Sequence, residues 1–151
     1  LERDGAVVAG VVSAPALHRR WWAARGQGAF ADGRPIRVSR VAGLGDAVLA
    51  YASLGSWEQH GLGERFLALT RSCWRARGFG DFWCHMLVAE GPADVAAEPE
   101  VALWDLAAPL VVVEEAGGRL TDLGGAARAD GGSVVTTNGL LHDRVLAALR
   151  P

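Results

Sequence analysis

The alternation of apolar and polar positions divides the chain into two styles. Val7 to Ser13 (Val-Val-Ala-Gly-Val-Val-Ser) is β-branched and apolar, which predicts a buried strand after an Asp4-Gly5 turn. Arg19–Ala24 predicts its hairpin partner, with Pro15 between the two. Arg25-Gly-Gln-Gly28 and Ala31-Asp-Gly-Arg-Pro35 carry turn chemistry, and Ile36-Arg-Val38 alternates like a short edge strand. Up to about residue 45 the pattern is a run of antiparallel strands.

After Gly43-Leu-Gly45 the period changes. Strands are predicted over Ala47–Ala52, Cys73–Arg77, Ala93–Ala97, Arg119–Asp122 and Ser133–Thr137. Helices are predicted over Ser56–Thr70, with Leu62, Phe66 and Leu69 on one stripe, and over Asp81–Glu90, closed by Gly91-Pro92. Two more follow, Trp104–Ala116, closed by Gly117-Gly118, and Leu140–Leu149. Strands alternating with helices of about ten residues predict an α/β layer with crossovers. The chain therefore reads as a strand-rich piece, residues 1–45, followed by an α/β lobe, residues 46–151.

Composition narrows the chemistry. The chain has 151 residues, half of them apolar and 21% charged, enough for one folded domain. The net charge of −2 argues against a nucleic-acid binder held by a basic field. The longest apolar run, Leu106 to Val113, is far short of the ~18 residues that cross a bilayer. All 15 basic residues are arginine, so a P-loop lysine and a Schiff-base lysine are both excluded. The two cysteines, Cys73 and Cys84, lie in apolar surroundings and read as buried thiols of a cytoplasmic protein. The chain opens on Leu1 with no signal-like segment, and its first residues already read as strands. The expectation is a fragment that has lost its N-terminal part.

Several candidate motifs fail on context. Gly26-Gln-Gly28-Ala-Phe-Ala31 matches a dinucleotide-binding pattern by letter, but no helix opens there. No G-x-S-x-G elbow is present. His18, His60, His85 and His142 have no metal spacing, and His85 reads as a satisfied core or surface histidine. The acids are more informative. Asp94, Glu98, Glu100 and Asp105 fall within twelve residues, at a strand exit where α/β sheets place ligands. They could form a hard-cation site, since Mg²⁺ takes carboxylate oxygens and leaves positions for phosphate. Composition alone favours plainer roles, a helix cap at Asp105 worth ~1 kcal/mol or solvated loop acids. The helix after Asp105 is apolar nearly all round and should lie between layers. Asp105 at its mouth would then cost desolvation unless a cation or hydrogen bonds compensate.

Trp104-Asp105-Leu-Ala107-Ala108, followed by Glu115-Ala116-Gly117-Gly118, resembles the W-D-x-A-A and E-A-G-G signature of the inositol monophosphatase family. Gly10-Val-Val-Ser-Ala-Pro15 with Arg25-Gly-Gln-Gly28-Ala29 resembles that family's central hairpin, and Arg77-Gly-Phe-Gly80-Asp81 stands at its R-x-x-G-[ST] position. The resemblance covers essentially the whole chain. It implies a layered α/β/α/β sandwich, present as its C-terminal part, and a Mg²⁺-dependent phosphomonoesterase. It places Asp105 on a metal-ligand aspartate, Glu98 on an acid that touches the substrate alcohol, and Gly80 and Asp81 on a loop framing the same pocket. It also implies a small phosphate monoester as substrate and a possible homodimer.

Gly78-Phe-Gly80-Asp81-Phe82, Val88-Ala-Glu-Gly91, Ala96-Ala-Glu-Pro-Glu100 and Gly139-Leu-Leu-His142-Asp143 resemble the histidinol-phosphate phosphatases within that family. An Asp81 beside Glu98 suits a cationic alcohol, each charged hydrogen bond being worth ~1.5–3 kcal/mol. A helix cap is the competing role for Asp81. An inositol or other sugar phosphate is the alternative substrate, and a non-catalytic half-domain the alternative of another class. Two departures matter. The family's acidic helix and D-P-x-D-G-T motif, expected to carry the other metal ligands and the catalytic groups, are absent from these residues, so the chain alone is expected to be inactive. Pro109 interrupts the signature helix, where a proline costs ~3 kcal/mol, and predicts a kink that could displace Asp105.

Overall fold

The computed structural model describes residues 1–150. The chain begins with a two-stranded ribbon, β1 (Glu2–Arg3) and β2 (Ala6–Val7), joined at Asp4-Gly5. Both turn residues have positive φ, +53° and +76°, the backbone that an Asp-Gly pair is suited to supply. A four-stranded antiparallel sheet follows in the order β3 (Ala9–Ala14), β4 (Arg19–Ala24), β5 (Ala29–Ala31), β6 (Arg34–Ile36).

Two details of this sheet differ from the pattern reading. Ala29–Ala31 is a strand, and the edge strand runs over Arg34–Ile36 rather than Ile36–Val38. The cause is the Asp32-Gly33 turn, with φ of +49° and +82°, which returns the chain after two residues and pairs Ala31 with Arg34. Pro35 is tolerated because β6 is the outermost strand. Val38 leaves the sheet and donates its N–H to the Ala116 carbonyl at 3.1 Å.

A second, five-stranded sheet has the order β10 (Arg119–Thr121), β11 (Val134–Thr137), β9 (Val95–Glu98), β7 (Val48–Tyr51), β8 (Arg75–Gly78). β7 is parallel to both β8 and β9, while β11 is antiparallel to β9 and β10. Residues alternate between its two faces. Leu49, Val95, Ala97 and Val135 pack with α1 (Leu54–Gln59), α2 (Gly63–Ser72) and α5 (His142–Leu149). Ala50 and Ala96 pack with α3 (Asp81–Glu90) on the other side.

The segment expected as one helix over Ser56–Thr70 is α1 and α2. Gly61, at φ +71°, turns the chain, and α2 folds back so that Trp57 stacks on Phe66 at 4.3 Å. The apolar stripe of Leu62, Phe66 and Leu69 belongs to α2 and its N-cap alone.

α4 (Leu103–Glu115) lies between the two sheets, with Leu106, Leu110, Val111, Val112 and Val113 buried. Its apolar circumference follows from this position: it packs on β3, β4 and β5 as well as on α3 and β10. The helix continues through Pro109 over its full length. From one side of the molecule to the other the layers are the four-stranded sheet, the α3–α4 pair, the five-stranded sheet, and α1, α2 and α5. This is the layered α/β sandwich that the sequence implied.

The signature around α4 has a packing explanation. A Cβ on Gly10 of β3 would sit 2.8 Å from the Ala108 Cα, so Gly10 and the small residues Ala107-Ala108 let strand and helix touch. Gly117 ends α4 at φ +90°, and a Cβ on Gly118 would meet the Thr137 carbonyl at 2.7 Å. Glu115 accepts the N–H groups of Gly26 and Gly28 at 2.9 and 2.8 Å, so the glycine turn of the hairpin is a structural anchor. No helix among the described residues is long and apolar enough to cross a membrane.

Candidate active site

The parallel strands β7, β8 and β9 end together, and α3 and α4 begin beside those ends. Phe79 and Gly80 donate to the Tyr51 carbonyl at 3.1 and 3.3 Å, which ties the turn before α3 to the end of β7. The loop after β9 is tied by the Val101 N–H to the Gly132 carbonyl at 3.0 Å. Between these two loops lies an open cleft of about 480 Å³. Its lining is Asp81, Phe82 and His85 from α3, Glu98, Glu100 and Val101 from the exit of β9, and Asp105 from α4.

Each side chain is set by local structure. Gly80 and Asp81 both have left-handed backbones, φ +83° and +47°. For an L-residue that conformation costs ~1–2 kcal/mol, less for aspartate than for most. Asp81 opens α3 without making a side-chain cap, so the capping role considered for it is not the one it plays. Asp105 accepts the Ala102 N–H through Oδ2 at 3.2 Å, one half of a capping box. Asp105 is exposed, as are its neighbours Leu103 and Trp104, the latter at 82%. The expected desolvation at a buried helix mouth therefore does not arise: α4 is buried along its length, but its first turn projects from between the sheets.

Asp94 does not belong with the other acids. It sits at the opposite end of β9 from Glu98, where it accepts the Val48 N–H at 2.7 Å and the Ser39 hydroxyl. Asn138 donates to the same Ser39 oxygen at 2.9 Å and to the Val41 carbonyl at 2.8 Å. This network is largely buried with each side chain hydrogen-bonded, and it pins the segment that joins the two sheets. Strand geometry separates the pair: four residues of extended chain carry Glu98 roughly 13 Å along β9 from Asp94.

Glu98 is 9% exposed and its Oε1 has no hydrogen-bond partner among the described residues. His85 Nε2 lies 3.4 Å from it. His85 is itself buried and paired through Nδ1 with Thr136 Oγ1 at 2.9 Å. The core reading of His85 is half the answer, since the ring also lines the cleft. The overlooked signal is spacing: Asp81 and His85 are one helical turn apart and share a face. Cys84, the next residue back, is not a nucleophile. Burial pushes its thiol up to about 11, with the Glu98 charge acting in the same direction.

Four carboxylates and one imidazole around a single opening, with no arginine among the lining residues, make a cation site in the general sense. The repulsion among the acids is relieved by positive charge. Oxygen donors suit a hard divalent ion such as Mg²⁺. No group of three or more His, Cys, Asp or Glu side chains converges tightly enough to hold a metal among the described residues. Among the described residues, the acids of the cleft do not complete a metal site.

The molecule is thus a layered α/β sandwich with an acidic cleft at the carboxyl ends of its parallel strands, where sheets of this kind place ligands. The model of the inositol monophosphatase family matches residues 1–151, and the chain belongs to that family. It is 60% identical over 154 residues to a histidinol-phosphatase of Mycobacterium tuberculosis, covering 99% of this chain and 59% of that protein. It is 49% identical to a histidinol-phosphatase of Streptomyces coelicolor, covering 94% of this chain and 55% of the relative. Among solved structures, an IMPase of Thermotoga maritima superposes with a TM-score of 0.86 at 33% identity, over 97% of this chain and 57% of the other. An inositol monophosphatase of Zymomonas mobilis gives 0.90 at 25% identity, over 99% and 60%. The chain spans somewhat over half the length of these relatives.

Proposed function

We propose that this chain forms the substrate-recognition part of a Mg²⁺-dependent phosphomonoesterase that hydrolyses L-histidinol phosphate to L-histidinol and phosphate. The observation that carries the reading is the gathering of Asp81, Glu98 and Asp105 around one acidic cleft. The names of the relatives at 60% and 49% identity support it. In this reading Glu98 and Asp81 hold the ammonium and imidazole end of the substrate, each charged hydrogen bond contributing ~1.5–3 kcal/mol. Gly80 leaves the loop open, since no atom lies within 4 Å of where its Cβ would stand. Asp105 supplies one carboxylate ligand to Mg²⁺, which when bound offsets the acidic charge and polarises the phosphate ester. The remaining ligands and the water-activating groups come from elsewhere in the full-length polypeptide. A cytoplasmic enzyme of amino-acid biosynthesis fits this assignment, and a homodimer is compatible with it.

The test is phosphate release by the full-length polypeptide with Mg²⁺, from L-histidinol phosphate and from myo-inositol 1-phosphate. The expected kcat/KM favours the histidinol ester by at least about tenfold, the loss that one missing charged hydrogen bond would cause. Preference for the inositol ester would move the assignment to the second substrate class, which relatives named inositol-1-monophosphatase at 34–35% identity favour. Release from neither ester would remove the phosphatase reading. Ordinary turnover by the 151-residue chain alone would contradict the division of labour stated here.

A further inference from the structure

We propose that His85, anchored by Thr136, is a positioning residue that holds the Glu98 carboxylate toward the cationic end of the substrate. The cationic nature of that substrate rests on the function proposed above; the contact itself rests on geometry. Thr136 is fully buried in the middle of β11, in register with Ala96, so its hydroxyl is a fixed point. His85 Nδ1 lies 2.9 Å from that hydroxyl and Nε2 lies 3.4 Å from Glu98 Oε1. The Glu98 oxygen is sealed from water and has no hydrogen-bond partner. A bare Nε2 lone pair against a buried carboxylate oxygen would set two acceptors face to face. A hydrogen on Nε2 removes that opposition while the Thr136 hydroxyl donates to Nδ1; at 3.4 Å the contact of Nε2 with Glu98 is electrostatic and not a formed hydrogen bond. This assignment leaves no two acceptors opposed. Without the Nε2 hydrogen, the buried oxygen would be an uncompensated charge, and the carboxylate would turn toward solvent and away from the position it now holds. An outer partner that fixes the direction of a ligand-binding group has the same logic as the second layer around a metal ligand.

Amide substitutions separate the two ring nitrogens. His85→Asn places an amide near Nδ1 and keeps a partner for Thr136, but loses the donor at Nε2. His85→Gln reaches the Nε2 position. In the full-length polypeptide with Mg²⁺, the readout is the ratio of kcat/KM for L-histidinol phosphate to that for β-glycerophosphate, the ester of an uncharged alcohol. His85→Asn is expected to lower this ratio about tenfold, with the loss in KM for the histidinol ester, as expected for one weakened charged hydrogen bond. His85→Gln should retain most of the ratio, and Thr136→Val should fall between them. An unchanged ratio in His85→Asn, or equal losses in the two amide variants, overturns the positioning role. The ¹⁵N resonances of the His85 ring give an independent readout. A ring protonated at Nε2, with signals that move in Glu98→Gln, supports the contact, and a neutral ring protonated at Nδ1 overturns it. If the wild type itself fails to prefer the histidinol ester, the substrate reading fails, and the ¹⁵N spectrum still decides whether His85 orients Glu98.

Discussion

Asp94 and Glu98 stand at opposite ends of the same strand and are almost equally buried, at 3% and 9% exposure. At Asp94 both carboxylate oxygens are used, by Ser39 and by the Val48 N–H. At Glu98 one oxygen is enclosed and has no hydrogen-bond partner, with a histidine nitrogen 3.4 Å away. Burial alone would rank the two acids alike. What separates them is satisfaction: a carboxylate whose bonds are all made inside the fold holds the fold, and one with bonding capacity left over at a cleft is available to a ligand. The same contrast recurs in two buried histidines. His142 is paired with a threonine on each nitrogen, Thr121 at 2.9 Å and Thr137 at 3.0 Å, whereas His85 has a threonine on one side and the cleft acid on the other.

The largest stability effect should follow Asp94→Ala. It strands the Val48 N–H and breaks the bond from the Ser39 hydroxyl to the carboxylate, which ties the connecting segment to β9. With one buried backbone donor and one hydroxyl left unpaired, the loss should be about 3 kcal/mol, read by chemical denaturation. A loss under about 1 kcal/mol would mean that water replaces the carboxylate freely, and the distinction drawn between the two acids would fail.

His142 gives a test of similar size through pH. Burial, and after it the charge of Arg119, pushes its pKa down to about 4 from an ordinary value of 6.5. The unfolded chain therefore binds a proton at a higher pH than the folded one. Stability from this group is whole above pH 6.5 and is lost as the pH falls toward 4, by on the order of 3 kcal/mol. Denaturation of the wild type and of His142→Gln at pH 7 and pH 4.5 isolates this contribution from the carboxylates. The expected outcome is a shallower pH dependence in the variant, whose starting stability is lower. Parallel curves would show that the ring is not held neutral by the fold.

Glu98→Gln should behave in the opposite way to Asp94→Ala. Its effect on stability should stay within about 1 kcal/mol, because no internal hydrogen bond to that carboxylate is at stake. Its effect on kcat/KM for L-histidinol phosphate should be a loss of about 2 kcal/mol of binding, close to thirtyfold. A variant that unfolds early but keeps its substrate preference would reverse the roles assigned to the two ends of β9.

Much of this was legible in the residues because it depends on local rules. The Asp-Gly turns, the apolar circumference of α4 and the small residues at Gly10, Ala108 and Gly118 each have one cheap backbone solution. The layered sandwich follows from them together with the signature they belong to. Closeness in sequence was a poor guide to the site. Asp94 lies eleven residues from Asp105 and belongs to a different end of the sheet, while His85, on another element, meets Glu98. Extended chain moves neighbours apart by more than 3 Å per residue, and only the crossover brings α3 and β9 side by side. The split of Ser56–Thr70 into two helices was equally hidden, since Gly61 is tolerable inside a helix and it is the stacking of Trp57 on Phe66 that selects the turn.

The smallest expected effect is also the one that most sharpens the contrast between residues that hold the fold and residues kept for chemistry. Asp81 has a left-handed backbone at φ +47°, makes no cap to α3, and is exposed at the rim of the cleft. Nothing in the fold repays that strain. Asp81→Gly removes the steric cost, although a more flexible unfolded chain offsets part of the gain. The net change should be a stabilisation of about 0.5 kcal/mol, measured as a rise in the denaturation midpoint without a change in slope. The same substitution should raise KM for L-histidinol phosphate several-fold, because an acid facing the substrate's cationic end is lost. Asp81→Asn keeps the side-chain shape and the tolerated backbone but not the charge, so it should weaken the substrate without stabilising the fold. A destabilised Asp81→Gly, or an Asp81→Asn that binds as the wild type does, would mean that the strained residue is kept for the fold and not for the ligand.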